Sequence, residues 1–223
     1  MAKDRFAFHD RNEAGRWLAP RVAALKPERP LVLALPRGGV PVAVEIARAL
    51  RAPLDLLLVR KIGLPWQPEL ALGAVTDGRN PRTVVNEHVA QASHVDAADI
   101  ARIAQIQLAE IARRHRIWMG ARDHIPLAGR TVILVDDGVA TGASVRVALE
   151  AVKAERPARI VLALPVVSDF AAEGLRAASD DAIFLLTPDD LAAVGTYYRD
   201  FHQLDDDEVT QLLHNAWASL PAG

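Results

Sequence analysis

No cysteine occurs in the chain, which excludes disulfide staples and thiolate metal sites and fits a reducing, cytoplasmic setting. Long apolar runs are missing too: none approaches the ~18 residues that a membrane span needs. The opening stretch MAKDRFAFHDRNEAG lacks the apolar core of a secretory leader. Neither sign of charge is in excess: 26 Lys and Arg stand against 28 Asp and Glu, a formal net charge of -2. The surface as a whole therefore offers no pull toward nucleic acid or a membrane, and neither is expected as a partner. Aromatics make up only 5% of the residues, so any cluster of them stands out. The histidines (His9, His88, His94, His115, His124, His202, His214) are scattered, with no pair at ligand spacing on a helix, so no protein-held zinc is expected. Neither GxxxxGK[ST] nor GxGxxG is found, which removes the P-loop and the dinucleotide fingerprint.

What is present is enough for a core: 223 residues, 51% of them hydrophobic, suit one domain. The most informative stretch is GRTVILVDDGVATGASVR, residues 129–146. Residues 131–135 are apolar or β-branched, too short for a buried helix and shaped like a central parallel strand. Asp136 and Asp137 follow at its carboxyl end, then a small-residue turn, residues 138–144, then a helical pattern through Val145, Ala148, Leu149 and Val152. Ligands of open α/β sheets bind outside the carboxyl ends of strands. A helix start favours an anion by up to ~2 kcal/mol in partly buried geometry. The two acids would repel that anion, but carboxylates accept hydrogen bonds from hydroxyls. The stretch thus reads as one device in two halves: Asp136 and Asp137 for vicinal sugar hydroxyls, Gly138, Val139, Ala140, Thr141, Gly142, Ala143 and Ser144 for a terminal phosphate. That describes a ribose 5-phosphate. Taken alone, Asp-Asp-Gly would be only a strand running into a turn.

Two more strand ends carry charge. Residues 31–35 form a strand pattern that runs into Pro36, Arg37, Gly38, Gly39, Val40 and Pro41, with a helical pattern over 42–50. Two glycines let a backbone approach a ligand, and Arg37 offers a planar fork of donors. Residues 54–59 read as a third strand followed at once by Arg60 and Lys61, cations suited to a charged leaving group.

The remainder is coarser. Apolar positions 14, 17, 18, 22 and 25 predict a helix over 12–26, capped by Asp10 or Asn12, kinked at Pro20 and burying Trp17. Residues 70–75 and 83–86 suit short strands around a turn at 77–80. Trp66 either shields the site or closes the core. Residues 96–117 read as a long helix capped by Asp96 with Asp99, running into the basic stretch Arg113, Arg114, His115, Arg116 and Arg122. Strands are expected at 160–164 and 182–186, with a helix at 171–178 between them. The densest aromatic patch, Tyr197, Tyr198 and Phe201, is either a core plug or a stacking surface for a planar acceptor. An acid-started structural helix closes the chain from Asp205. Alternating strands and helices give an α/β, doubly wound, mostly parallel sheet.

The string VILVDDGVATGAS resembles the signature for 5-phosphoribosyl 1-diphosphate (PRPP) in type I phosphoribosyltransferases, in order and spacing. The wider chain, from DRNEAGRWLA to YYRDF, resembles a little-characterised bacterial branch of that family. The resemblance implies a five-stranded sheet with a small hood or lid, one domain over 1–223, core sheet within 28–190, lid within 62–128 and a C-terminal segment from 191. It implies Mg2+, held mainly by ligand and water with Asp136 and Asp137 nearby, and displacement of pyrophosphate at the anomeric carbon by a nitrogen nucleophile. It assigns Arg37, Gly38, Gly39, Arg60 and Lys61 to pyrophosphate, and Asp136, Asp137, Arg37 and Lys61 to catalysis. A basic lid is implied at Arg113, Arg116 and Arg122, acceptor stacking at Tyr197, Tyr198 and Phe201, and a homodimer. Two departures matter. Trp118-Met119-Gly120 stands where relatives read closer to Tyr-Arg-Gly, and Ala140 replaces the aspartate that contacts the base in 6-oxopurine salvage enzymes. The second argues against hypoxanthine or guanine and leaves the acceptor unnamed. A PRPP-sensing regulator and a phosphorolytic enzyme remain open beside the transferase.

Overall fold

The computed structural model describes residues 7–64, 66–78, 81–85, 87–93 and 95–221. In chain order, α1 (Arg11–Ala24) leads to β1 (Pro30–Ala34), α2 (Gly39–Leu50) and β2 (Leu54–Leu56). The chain then leaves the sheet for β3 (Val59–Leu64), β4 (Gln67–Thr76) and β5 (Arg82–Val85), followed by α3 (Glu87–Ala92) and α4 (Ala97–Trp118). It returns through β6 (Thr131–Val135), α5 (Ala143–Ala154), β7 (Arg159–Val166), α6 (Asp169–Ala177) and β8 (Asp181–Leu186), and finishes in α7 (Asp206–Trp217).

The main sheet has five strands in the order β2-β1-β6-β7-β8, every pair parallel. Its central strands β1, β6 and β7 are almost wholly apolar because both faces are covered. Val32, Ala34, Ile133, Val135, Val161 and Ala163 pack with α1, α2 and α7. Leu31, Leu33, Val132, Leu134, Ile160 and Leu162 pack with α5 and α6. The strand order reverses direction between β1 and β6, so the chains leaving their carboxyl ends diverge and open a crevice. The expected α/β, doubly wound five-stranded sheet is thus present. The appendage is an antiparallel sheet in the order β3-β4-β5.

Several local expectations change. β2 ends at Leu56, and Arg60 and Lys61 lie inside β3 rather than beyond a core strand. α1 continues through Pro20, with Arg21 Nη1 donating to the Trp17 carbonyl at 2.8 Å. Trp17 is 48% exposed, set edge-on against Phe8 instead of buried. Trp66 is 64% exposed and closes no core. The basic stretch is not a loop: α4 carries Arg113 and Arg116 and ends with Trp118 and Met119 buried. Asp10 caps α1, and Asp96 caps α4 by accepting from the Asp99 amide at 2.7 Å. Arg79, Asn80, Asn86 and His94 lie outside the described residues.

Candidate active site

Two helices start at the crevice, and neither has a side-chain cap. α1, α4, α6 and α7 each have a side chain accepting from the first-turn amides, from Asp10, Asp96, Ser168 and Asp205. α2, capped by Gly38, and α5, capped by Gly142, have no such side-chain hydrogen bond. At α2 the backbone itself fills the first turn: the Gly39 amide donates to the Leu35 carbonyl at 3.0 Å, the Val40 amide to the Arg37 carbonyl at 3.1 Å, and Pro41 has no N–H. At α5 no such bond fills the first turn among the described residues, and unsatisfied amides at a helix start are an anion site. At α5 the turn stands on Gly142, whose φ of +81° an L side chain rarely adopts. Val139 amide is spent on the Val166 carbonyl at 2.8 Å, and Ser168 donates to the Ala140 carbonyl, so β7 and α6 hold the turn open. The hollow within it measures about 150 Å³ and is lined by Asp136, Gly138, Val139, Ala140, Thr141, Gly142, Ala143, Ser144 and Val145. At ~30 Å³ per water, it holds about five waters or one phosphoryl group.

The acid pair divides. Asp136 lines that hollow. Asp137 turns the other way and accepts from Arg11 Nε at 2.7 Å. Burial, then the neighbouring Asp137 charge, pushes the Asp136 carboxyl well above the usual carboxylate range. Burial also raises Asp137, against the opposing pull of Arg11. The Tyr198 hydroxyl donates to the Asp137 carbonyl at 2.6 Å.

Across the crevice, Gly38 lies against the Asp137 carboxylate, so the two loops touch. Arg37 Nη1 donates to the Leu204 carbonyl at 2.8 Å, and Nη2 lies 3.2 Å from Asp206. Its Nε is buried and finds no hydrogen-bond partner among the described residues. Lys61, on the appended sheet, lines a hollow of about 330 Å³ with Ala143, Ser144 and Arg146, on the phosphate side of α5. Arg60 instead donates to Gln107 of α4 at 3.0 Å; burial, then Arg114, lowers its pKa. Neighbouring strand residues point to opposite faces, which separates this pair.

The structure brings Arg37, Gly38, Gly39, Asp136, Asp137 and the 138–144 turn together, with Lys61 beside the turn. It does not bring the other residues there as expected. Arg113 is paired with Glu110 at 2.8 Å, and Arg122 stacks over Trp217 at 4.4 Å. Tyr198 is 1% exposed and serves as the core plug. Phe201 has Tyr198 stacked on it at 5.0 Å and Arg11 3.8 Å over its ring, so no free stacking surface is left there. Sequence reasoning missed Arg11 and Asp206. Each is one charge in a helix's first turn, and nothing local distinguishes it from a solvated one. A hollow of about 550 Å³ lies between the starts of α1 and α7, lined by Arg11 together with Asp10, Asp200, His202, Leu204 and Glu208.

Known proteins share this sequence and fold. A family profile described as "Phosphoribosyl transferase domain" matches residues 10–200. The Thermus thermophilus protein TT1426 has the same fold at a TM-score of 0.82, with 43% identity over 94% of this chain and 99% of that one. Rv0571c of Mycobacterium tuberculosis H37Rv, whose name marks it provisionally as a phosphoribosyl transferase, is 45% identical over 209 residues, 94% of this chain. Its counterpart MT0597 in strain CDC 1551 matches equally. The chain spans about half the length of these curated relatives, 47%. An acid-bearing turn and a glycine-arginine loop face each other at the sheet's switch point, and the profile match over residues 10–200 with relatives 45% identical across 94% of the chain shows that this protein belongs to the phosphoribosyl transferase domain family.

Proposed function

We propose that the protein transfers the 5-phosphoribosyl group of PRPP to a nitrogen nucleophile and releases pyrophosphate. The observation that carries this reading is the open α5 start with Asp136 beside it, set across the β1/β6 crevice from the loop of Arg37, Gly38 and Gly39. The α5 turn suits the 5-phosphate, and the glycine-arginine loop suits the diphosphate.

Asp136 accepts from the ribose hydroxyls and favours the positive charge that develops on the sugar as the C1–O bond to pyrophosphate breaks. The nucleophile's nitrogen forms the new bond at C1, and its proton leaves to solvent. Arg37, whose guanidinium keeps an unpartnered Nε among the described residues, holds the departing diphosphate. Lys61 adds charge on the phosphate side. The residues also fit Mg2+: a carboxylate whose ionisation is held up by burial gains from a cation, and Mg2+ typically takes one or two carboxylates plus phosphate oxygens and water. When bound, the ion would neutralise diphosphate charge, with Asp136 as its protein contact.

The test is pyrophosphate release from PRPP and Mg2+ across a panel of bases, amines and small acceptors. Release with one acceptor class establishes the transfer; release with none, in a protein that also fails to bind PRPP, sinks it. A second reading has its own support. Arg37 is held by Asp206 and Asp137 by Arg11, contacts that suit a PRPP sensor in which the ligand competes with them. PRPP binding without turnover favours it.

A further inference from the structure

Arg11 belongs to no motif, yet it is among the few charged residues that are buried, at 8% exposure. Its guanidinium meets three groups at once. Nε donates to Asp137 Oδ2 at 2.7 Å, and Nη1 donates to the His202 carbonyl at 3.0 Å. The planar face lies 3.8 Å over the Phe201 ring. Asp137 in turn presses on Gly38, so the cation couples the acid loop, the glycine loop and the segment that follows β8.

That segment is stitched to the same end of α1 by backbone bonds. The Phe8 amide donates to the Tyr197 carbonyl at 3.0 Å, Arg199 to Phe8 at 2.9 Å, and Asp200 to His9 at 2.8 Å. Four residues later, Leu204 offers its carbonyl to Arg37. The chain between 197 and 206 therefore bridges both halves of the crevice, and Arg11 is the side chain at its middle.

We infer that Arg11 is a positioning residue of the phosphoribosyl site: acting through Asp137, it sets the distance between the acid turn and the glycine loop, and through Phe201 and His202 it seats the 197–206 segment over them. This inference rests on the PRPP reading of the site. Only arginine fits the place. A lysine's three N–H donors radiate from a single nitrogen and it has no planar face, so it cannot span the carboxylate and the carbonyl while stacking on Phe201. Asp137, on this account, serves the ligand through its placement against Gly38, while Asp136 faces the hollow.

The experiment is a double-mutant cycle in the full chain, read by PRPP calorimetry and by KM against kcat. Arg11→Met is expected to raise the PRPP dissociation constant and KM by about tenfold or more, leaving kcat at saturating PRPP within about threefold. On an Asp137→Asn background, which removes the lone buried carboxylate, the same change is expected to cost less than about twofold. Arg11→Lys keeps the charge and decides the matter if Arg11→Met does not fold: it too must lose affinity. Equal losses on both backgrounds, or wild-type affinity in a folded Arg11 variant, overturn the inference. If the wild type binds no PRPP, the phosphoribosyl reading falls separately. Hydrogen exchange then decides the positioning, since the Arg199 and Asp200 amides must exchange faster in Arg11→Met, and unchanged exchange overturns it.

Discussion

Gly38 has ordinary right-handed backbone, φ -60°, so its need for glycine comes from its neighbour: a Cβ there would overlap the Asp137 carboxylate. Gly38→Ala is therefore expected to cost about 1–3 kcal/mol of stability through overpacking and to move Asp137. The checks are a thermal melt and PRPP titration, and an unaltered pair of values would count against the contact. The two aspartates are chemically alike but differently placed, and their variants should differ in kind. Asp136→Asn removes a charged acceptor facing the hollow and should weaken PRPP binding by about 10–100-fold with little change in stability. Asp137→Asn leaves Arg11 buried beside a neutral amide and should lower the melting temperature as well. Calorimetry of both folded variants checks this, and identical behaviour would contradict the division of labour.

At the scale of elements, α7 does more than close the chain. Asp205 accepts from the Glu208 amide at 2.8 Å, and the Glu208 carboxylate accepts from the Asp205 amide at 2.8 Å, forming a reciprocal cap. That cap fixes the first turn, which delivers Asp206 to Arg37. Asp205→Ala is expected to cost about 1 kcal/mol, or about 2–4 °C of melting temperature in a chain of this size. Scanning calorimetry reads it directly. The start of α5 shows the opposite choice: it has no side-chain cap, and its first turn lines the hollow that Asp136 shares.

Across the whole molecule, the appended sheet is tied to the core by a buried cluster. His124 Nδ1 lies 3.4 Å from Asp55 of β2, and Nε2 lies 3.5 Å from Asp77 after β4. Asp55 also accepts from the Ile125 amide, and Asp77 from the Leu58 amide. Burial alone would lower the His124 pKa, but hydrogen bonds to Asp55 and Asp77 outweigh it and raise it to about 10. The folded value lies above the ordinary 6.5, so this stabilisation is complete below about pH 6.5 and is lost as pH rises through about 10. Asp77, raised by burial against the pull of His124, acts in the same direction from lower pH. The wild type should thus lose more melting temperature than His124→Gln between pH 7 and 10. Parallel curves for the two proteins would dismiss the clasp.

Short-range pattern was enough for the core strands of the main sheet and for the two loops that the fold brings together at its switch point. Apolar runs at 31–35 and 131–135 had to be strands because both their faces are covered, and Thr-Gly at a helix start reads as a phosphate turn because amide geometry there is local. The acid pair, the turn and the glycine loop followed from the same logic. Packing decided everything that depends on which distant groups meet. β2 stops at Leu56, so Arg60 and Lys61 moved to a separate sheet and opposite faces. Most of the basic stretch lies inside α4, where Arg113 meets Glu110, while Arg122 beyond the helix meets Trp217. Tyr198 and Phe201 spent their faces on Phe8, Arg11 and each other. Arg11 meets Asp137 across 126 positions of sequence, a separation over which no periodicity or propensity carries information. Burial of that pair is a property of the packed chain alone.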